Sequence, residues 1–162
     1  MPGRPERRVS ATDASAPVGN GALNIGLLCF IVQRAMEDRV LADLAAAGFD
    51  DITVAQARVL ARVGANGTRL TDLAEQAQVT KQTAGVLVDA LERAGYVYRV
   101  PDPHDARARL ICISERGEAV VAAAAEVVAA VESEWSDYLG PTGWSQLRRS
   151  LLRLRTITDP DA

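Results

Sequence analysis

Hydrophobic stretches long enough to cross a membrane are missing from this 162-residue sequence. It contains no run of about 18 apolar residues, the length that a membrane-spanning helix requires. Its first residues are polar and are interrupted by Pro2, Pro5 and Pro17, so they lack the basic and hydrophobic segments of a secretory signal. We therefore expect a cytoplasmic protein without a membrane segment.

Cysteine and histidine are also scarce. Cys29 and Cys112 lie too far apart to match a disulfide framework or a metal-ligand spacing, so both are expected to be small apolar core residues. The single histidine, His104, lies in a proline-rich turn. Because the sequence has no Gly-x-Ser-x-Gly motif, phosphate-binding loop or metal-binding pair, it predicts neither an enzyme nor a cofactor or metal site.

Positive charge is in short supply as well. Lys81 is the only lysine, and 18 Lys and Arg face 21 Asp and Glu, which gives a formal net charge of -3. A protein that coats nucleic acid without sequence preference needs local positive charge, so the composition argues mildly against that class. Charges between Lys81 and Arg116 nearly cancel. Any DNA binding must therefore depend on the position of a few side chains.

Apolar residues, which make up 48% of the chain, are sufficient for one domain with a full core. Residues 1–20 mix proline, glycine, serine and charge without an apolar period, and we predict a flexible arm there. Residues 22–47 are predicted to form a long first helix, because Leu27, Ile31 and Leu44 belong to a helical apolar pattern that Gly48 ends.

Three more helices are predicted from their caps. Thr53 begins one with a capping box, and Thr71 is expected to cap a short helix over residues 70–77. Thr80 is expected to cap the next helix, which Gly95 closes. Two short helices joined by a tight turn form the helix-turn-helix pattern.

The second half of the chain predicts a β-hairpin followed by two helices. Residues 96–100 and 110–113 are rich in β-formers, and the intervening segment 101–105 is expected to be an irregular polar tip. Ser114 caps a helix that extends to about Tyr138, before an interruption at residues 140–143. The last helix carries a heptad-like apolar seam: Trp144, Leu147, Leu151 and Leu154. This seam suits an intrachain core and a subunit interface equally well.

The helix that follows Thr80 is the predicted recognition helix. At 100° per residue its core side chains cluster on one side, and the other side carries Gln82, Val86, Asp89 and Arg93, with Gly85 between them. Gln82 suits an adenine edge and Val86 a thymine methyl group. Lys81 suits a phosphate, and Thr83 lies near enough to reach phosphate or base. Outside a helix-turn-helix, Lys81 and Gln82 would be an ordinary solvated helix start.

Two arginines complete the predicted DNA surface from the hairpin. Arg107 and Arg109 follow the acids Asp102 and Asp105, so one arginine could brace the turn while the other enters a minor groove. Arg107 is expected at the tip. The predicted DNA-binding residues are Thr80, Lys81, Gln82, Thr83, Gly85, Val86, Arg107 and Arg109.

These segments resemble the MarR family of bacterial regulators over roughly residues 22–157. The resemblance is carried by residues 73–75, 79–83, 87–97, 102–108 and 114–117. It implies a mainly α fold with a small β-hairpin wing, in which a winged helix-turn-helix lobe at residues 51–113 lies between dimerisation helices at residues 21–50 and 114–158.

The resemblance also implies a homodimer on palindromic double-stranded DNA. Regulation, usually repression, would be relieved by a small ligand or an oxidant. Gln78 departs from the family by standing where the turn often has glycine, and Val86 departs by replacing a polar or basic residue. The operator sequences of relatives therefore do not predict the operator of this protein. A ligand cleft between the dimer helices and the winged lobe is implied, for which Trp135 and Arg34 are the residues considered.

Two alternatives remain open. Cys29 lies in a segment similar to that of the organic-hydroperoxide-sensing branch, whose thiolate reacts with peroxide. Because Tyr96, Tyr98 and Tyr138 all lie outside the first two helices, a buried structural cysteine is the preferred interpretation. The second alternative is a winged helix that binds protein instead of DNA.

Overall fold

Helices dominate the computed structural model, which describes residues 23–159 apart from the side chain of Ala106. The predicted arm at residues 1–20 lies outside the described residues. The element order is α1 (Ile25–Ala46), α2 (Val54–Leu60), β1 (Thr68–Arg69), α3 (Leu70–Gln76), α4 (Lys81–Arg93), β2 (Val97–Asp102), β3 (Asp105–Ile113) and α5 (Glu115–Thr158). The predicted mainly α class with a small hairpin is confirmed.

Most helices begin at the predicted capping residues. The capping box between Thr53 and Gln56 is complete, and the hydroxyl oxygens of Thr80 and Ser114 each accept a backbone N–H from the first turn of their helices. Thr71 was wrongly predicted as a cap, because α3 already starts at Leu70. The residue before it is held in a strand that pairs with β3, so the strand sets where this helix begins.

The sheet is antiparallel, with the strand order β1-β3-β2. Its two-residue β1 has no counterpart in the sequence-based prediction. The irregular tip predicted at residues 101–105 is also wrong, since Pro101 pairs with Arg109 and Asp102 pairs with Asp105. A proline is tolerated there because β2 is an edge strand of the described sheet, where one backbone N–H is not needed for pairing.

One apolar core joins the lobe to the adjoining ends of the flanking helices. Its fully buried members include Leu44, Leu60, Leu73, Val88, Leu91, Tyr96, Ile111 and Val120. Gly117 allows α5 to approach this core, because a Cβ there would lie 2.2 Å from the Tyr96 carbonyl oxygen. The Tyr96 hydroxyl donates a hydrogen bond to Asp51, and Arg116 pairs with the same carboxylate at 2.9 Å.

The flanking helices leave much of their apolar surface exposed. The predicted interruption is confirmed as a break in α5 at Gly140, whose φ is 71°. Beyond it, Leu147, Leu151 and Leu154 are all exposed, so their seam does not form part of the core of this chain. Cys29 is exposed as well, which corrects the prediction of a core cysteine. Among the described helices, none has the length and apolar character needed to cross a bilayer.

Candidate nucleic-acid interface

The helix-turn-helix consists of α3, the turn at residues 77–80 and α4. Gln78 has a φ of 54°, so it occupies the left-handed conformation that favours glycine. Its side-chain amide compensates locally by donating to the Glu75 carbonyl oxygen at 2.8 Å. Arg62 supports the same turn by donating from Nε to the Gln76 carbonyl oxygen at 2.7 Å. The tight turn is therefore held by side chains instead of by a glycine.

The start of α4 presents several predicted DNA-binding side chains to solvent. Lys81 and Gln82 are exposed, and Val86 is 62% exposed, which is unusual for a valine inside a helix. The Thr80 and Thr83 hydroxyls lie 2.8 Å apart and bond to each other while Thr80 caps the helix. These two threonines are thus engaged in capping, and Lys81, Gln82 and Val86 form the free surface.

Acidic residues farther along α4 are engaged by the wing. Arg99 of β2 donates from Nη2 to the Asp89 carboxylate at 2.6 Å and from Nη1 to the Glu92 carboxylate. Asp89, which helical periodicity places on the outward face, is therefore bound to the hairpin. This pairing neutralises two carboxylates in the C-terminal part of α4.

The arginine that braces the hairpin turn is Arg69, which corrects the expectation that Arg107 or Arg109 would do so. Arg69 Nε donates to Asp102 Oδ2 at 2.7 Å, and the other carboxylate oxygen accepts the His104 backbone N–H at 2.8 Å. These bonds, with that from His104 the larger influence, hold the pKa of the buried Asp102 carboxyl below its usual range.

The two predicted wing arginines remain available. Arg107 and Arg109 are exposed, and within residues 23–159 neither guanidinium has a hydrogen bond or a carboxylate partner. The Arg107 backbone N–H instead donates to Asp105 Oδ1 at 3.0 Å, which shapes the strand directly after the tip. The wing therefore presents unpaired positive charge on a turn braced by a different arginine.

A cleft of about 410 Å³ lies between α1 and α5. Its wall includes Trp135 and Val131, and Arg39 crosses it to pair with Glu134 at 3.1 Å. Trp135 thus lines the cleft, whereas Arg34, the other residue considered for a ligand, pairs with Asp38 on the surface of α1 at 3.6 Å. No cluster of potential metal ligands occurs in the part of the chain that the structure describes.

Comparison with known proteins shows which family this chain resembles. Residues 50–108 match the model of the MarR family. Over that segment the chain is similar to transcriptional regulators of the MarR family. The transcriptional activatory protein BadR from Rhodopseudomonas palustris is 30% identical over 95 residues. That match covers 59% of this chain and 53% of BadR, so the chain spans about half the length of this curated relative.

Solved MarR-family structures share the fold. CouR from Rhodococcus jostii RHA1, bound to p-coumaroyl-CoA, is 27% identical with a TM-score of 0.66, covering 86% of this chain and 94% of CouR. A MepR variant from S. aureus, bound to an oligodeoxyribonucleotide, is 23% identical with a TM-score of 0.55, covering 83% of this chain and 97% of MepR. The winged helix-turn-helix architecture is therefore confirmed.

Sequence reasoning missed Arg69 and Arg99, the two arginines that attach the wing to the rest of the lobe. Alternation along β2 places Arg99 on the same face as the buried Val97, which was a usable signal that its side chain faces a helix. No comparable signal identified Arg69, because its strand is only two residues long. Its partner Asp102 lies 33 residues away along the chain.

Proposed function

We propose that this chain is a homodimeric regulator that binds a palindromic operator and releases it when a small molecule binds. In each protomer α4 would enter a major groove and the β2–β3 wing an adjacent minor groove. The observation that carries the proposal is the exposed start of α4 beside a wing whose arginines are unpaired, while the acids of α4 are neutralised. A MepR variant with the same fold is bound to an oligodeoxyribonucleotide, which agrees with this partner.

Each exposed side chain has a specific role in the proposed complex. Gln82 reads an adenine edge and Val86 packs against a thymine methyl group. Lys81 contacts a phosphate, and Arg107 enters the minor groove with Arg109 next to the backbone. Thr80, Thr83 and Gly85 shape the helix so that these side chains approach the duplex. Recognition of DNA would therefore depend on few cationic side chains, which is consistent with the acidic composition.

The exposed apolar surface of the flanking helices supports a homodimer. Phe30 and Ile25 of α1 are more than half exposed, and the seam at Leu147 and Leu151 is nearly half exposed. Large apolar side chains left exposed in this number are typical of an interaction surface. Two protomers joined there would present two winged lobes, which matches the symmetry of a palindrome.

The proposed direction of regulation is repression, relieved by a ligand in the cleft between α1 and α5. Trp135 supplies an aromatic wall and Arg39 a cation that a ligand could take from Glu134. The p-coumaroyl-CoA bound to CouR supports an organic effector. BadR is named as an activatory protein, so a reporter fused to the operator must establish the sign of the response.

Operator binding tests the proposal directly. Genomic fragments bound by the purified protein should share a palindrome, and affinity for it should fall as salt rises. Gln82→Ala should weaken binding by roughly tenfold to a hundredfold, whereas Lys81→Ala should reduce the salt slope by about one. Glu126→Gln, at an exposed site on α5, is the matched control. Absent or salt-independent binding would sink the proposal and favour a protein-interaction module.

A further inference from the structure

Arg99 is the one charged side chain of β2 that reaches the recognition helix in the described structure. Its two terminal nitrogens bind different carboxylates, Asp89 and Glu92, which lie three residues apart on α4. The Arg99 side chain is 28% exposed, less than that of either partner, so it lies between strand and helix and not on the outer surface. A planar guanidinium with two bound carboxylates has little freedom to turn.

The wing has a second attachment at its tip. Arg69 binds Asp102 at 2.6 Å through Nη2, and Asp102 itself is 5% exposed. Arg69 immediately precedes α3, whereas the partners of Arg99 lie on α4. Two residues of β2 thus separate two attachments, one to the residue that precedes α3 and one to α4. Together they define how far the tip stands from α4.

From this arrangement we infer that Arg99 is a positioning residue for DNA binding, which presents the wing arginine Arg107 at the correct distance from α4. This inference rests on the proposed function. Arg99 does not contact DNA; it holds β2 against Asp89 and Glu92 so that α4 and the wing reach adjacent grooves together. Loss of Arg99 should therefore remove most of the contribution that Arg107 makes to DNA affinity, although Arg107 itself is unchanged.

A double-mutant cycle tests this dependence on a labelled duplex that the wild-type protein selects from genomic fragments. In the wild-type background, Arg107→Ala should weaken binding by roughly tenfold, whereas in Arg99→Ala it should weaken binding by less than about threefold. Equal effects in the two backgrounds would overturn the inference, because Arg107 would then act independently of Arg99. If the wild-type protein binds no duplex, the proposed function fails instead, and the two failures are distinguishable.

Charge masking is the competing explanation, since Arg99→Ala also leaves two carboxylates beside the DNA. The triple variant Arg99→Ala/Asp89→Asn/Glu92→Gln removes this repulsion without restoring the attachment. It should remain as weak as Arg99→Ala, and recovery of wild-type affinity would overturn the positioning role. Amide hydrogen exchange without DNA gives an independent readout: Arg99→Ala should speed exchange in β2 and leave α2 unchanged. Unchanged exchange in β2 would also contradict the inference.

Discussion

The winged lobe at residues 51–113 and the helices that flank it differ in where their apolar side chains lie. In the lobe, Leu60, Leu73 and Val88 are at most 1% exposed. In the flanking helices, Phe30 and Ile157 are 59% and 76% exposed, respectively. The lobe thus buries most of its large apolar residues within one chain, whereas the flanking helices leave many of theirs exposed.

This difference in exposure distinguishes residues that stabilise the folded protomer from residues available for association between protomers. A fully buried apolar side chain stabilises a fold by about 1.5–3 kcal/mol relative to an exposed one. The lobe and the helix ends packed against it gain that energy within the protomer, but the exposed faces of the flanking helices gain it only when another surface covers them. Substitutions in the common core should therefore act first on folding, and substitutions on the exposed faces of the flanking helices should act first on association.

The largest effect is expected from Leu147→Glu combined with Leu151→Glu in the seam. Two charges in the proposed subunit interface should produce a folded monomer, and operator affinity should fall by about 10²–10⁴ because two linked lobes bind far better than one. Light scattering and DNA titration would measure the two effects. Arg149→Glu, which introduces an acid on roughly the opposite side of the same helix, is the control. If the seam variant remains a dimer, the seam is not the interface, and the flanking helices do not differ from the lobe in the way described above.

The next largest effect is expected from Gly117→Ala. Its Cβ would meet the Tyr96 carbonyl oxygen at 2.2 Å, so backbone must move and the free energy of unfolding should fall by about 3 kcal/mol. Gly85→Ala is a matched control inside α4, where the nearest atom, on Leu70, is 3.9 Å away. It should raise stability by about 0.5–1 kcal/mol. Urea unfolding measures both, and equal effects would contradict the close packing at Gly117.

A smaller effect is expected from Gln78→Gly in the helix-turn-helix. The left-handed backbone at this position, with a φ of 54°, is strained for glutamine, so glycine should stabilise the lobe by about 1 kcal/mol. The lost hydrogen bond to Glu75 opposes part of this gain. Thermal unfolding of the monomeric seam variant, with and without the substitution, isolates the effect on the lobe. A decrease in stability would mean that the side-chain bond outweighs the strain.

The smallest effect concerns acid stability at the wing. Since the folded-state pKa of Asp102 is lowered, its ionised form stabilises the lobe above the unfolded-state value of about 3.9, and this contribution is lost as pH falls through the folded-state pKa. The half-exposed Arg69 keeps the effect modest. The stability difference between wild type and Asp102→Asn should shrink on acidification from pH 6. A pH-independent difference in urea unfolding would refute this assignment.

Local signals in the sequence predicted much of the lobe. Thr53, Thr80 and Ser114 cap helices as expected because each hydroxyl bonds within its own first turn. Thr71 failed as a cap because pairing between β1 and β3 set the start of α3. Pro101 failed as a strand breaker because the edge position of its strand depends on the order of the whole sheet.

The sequence predicted the helices more completely than it predicted the contacts of the DNA-binding surface. The exposure of Lys81, Gln82 and Val86 follows from helical periodicity, which a sequence displays directly. The engagement of Asp89 by Arg99 and the exposure of Cys29 depend on neighbours elsewhere in the chain. Periodicity assigned Asp89 to the outward face but did not indicate what lay against it.

By itself, the sequence determined the helix starts at Thr53, Thr80 and Ser114, because each cap involves groups within about four residues. Only the tertiary structure decided that Arg69, and neither Arg107 nor Arg109, braces the wing. The partners Arg69 and Asp102 are 33 residues apart, and their contact exists only once β1 and β2 flank β3. The unpaired wing arginines are thus a consequence of sheet assembly.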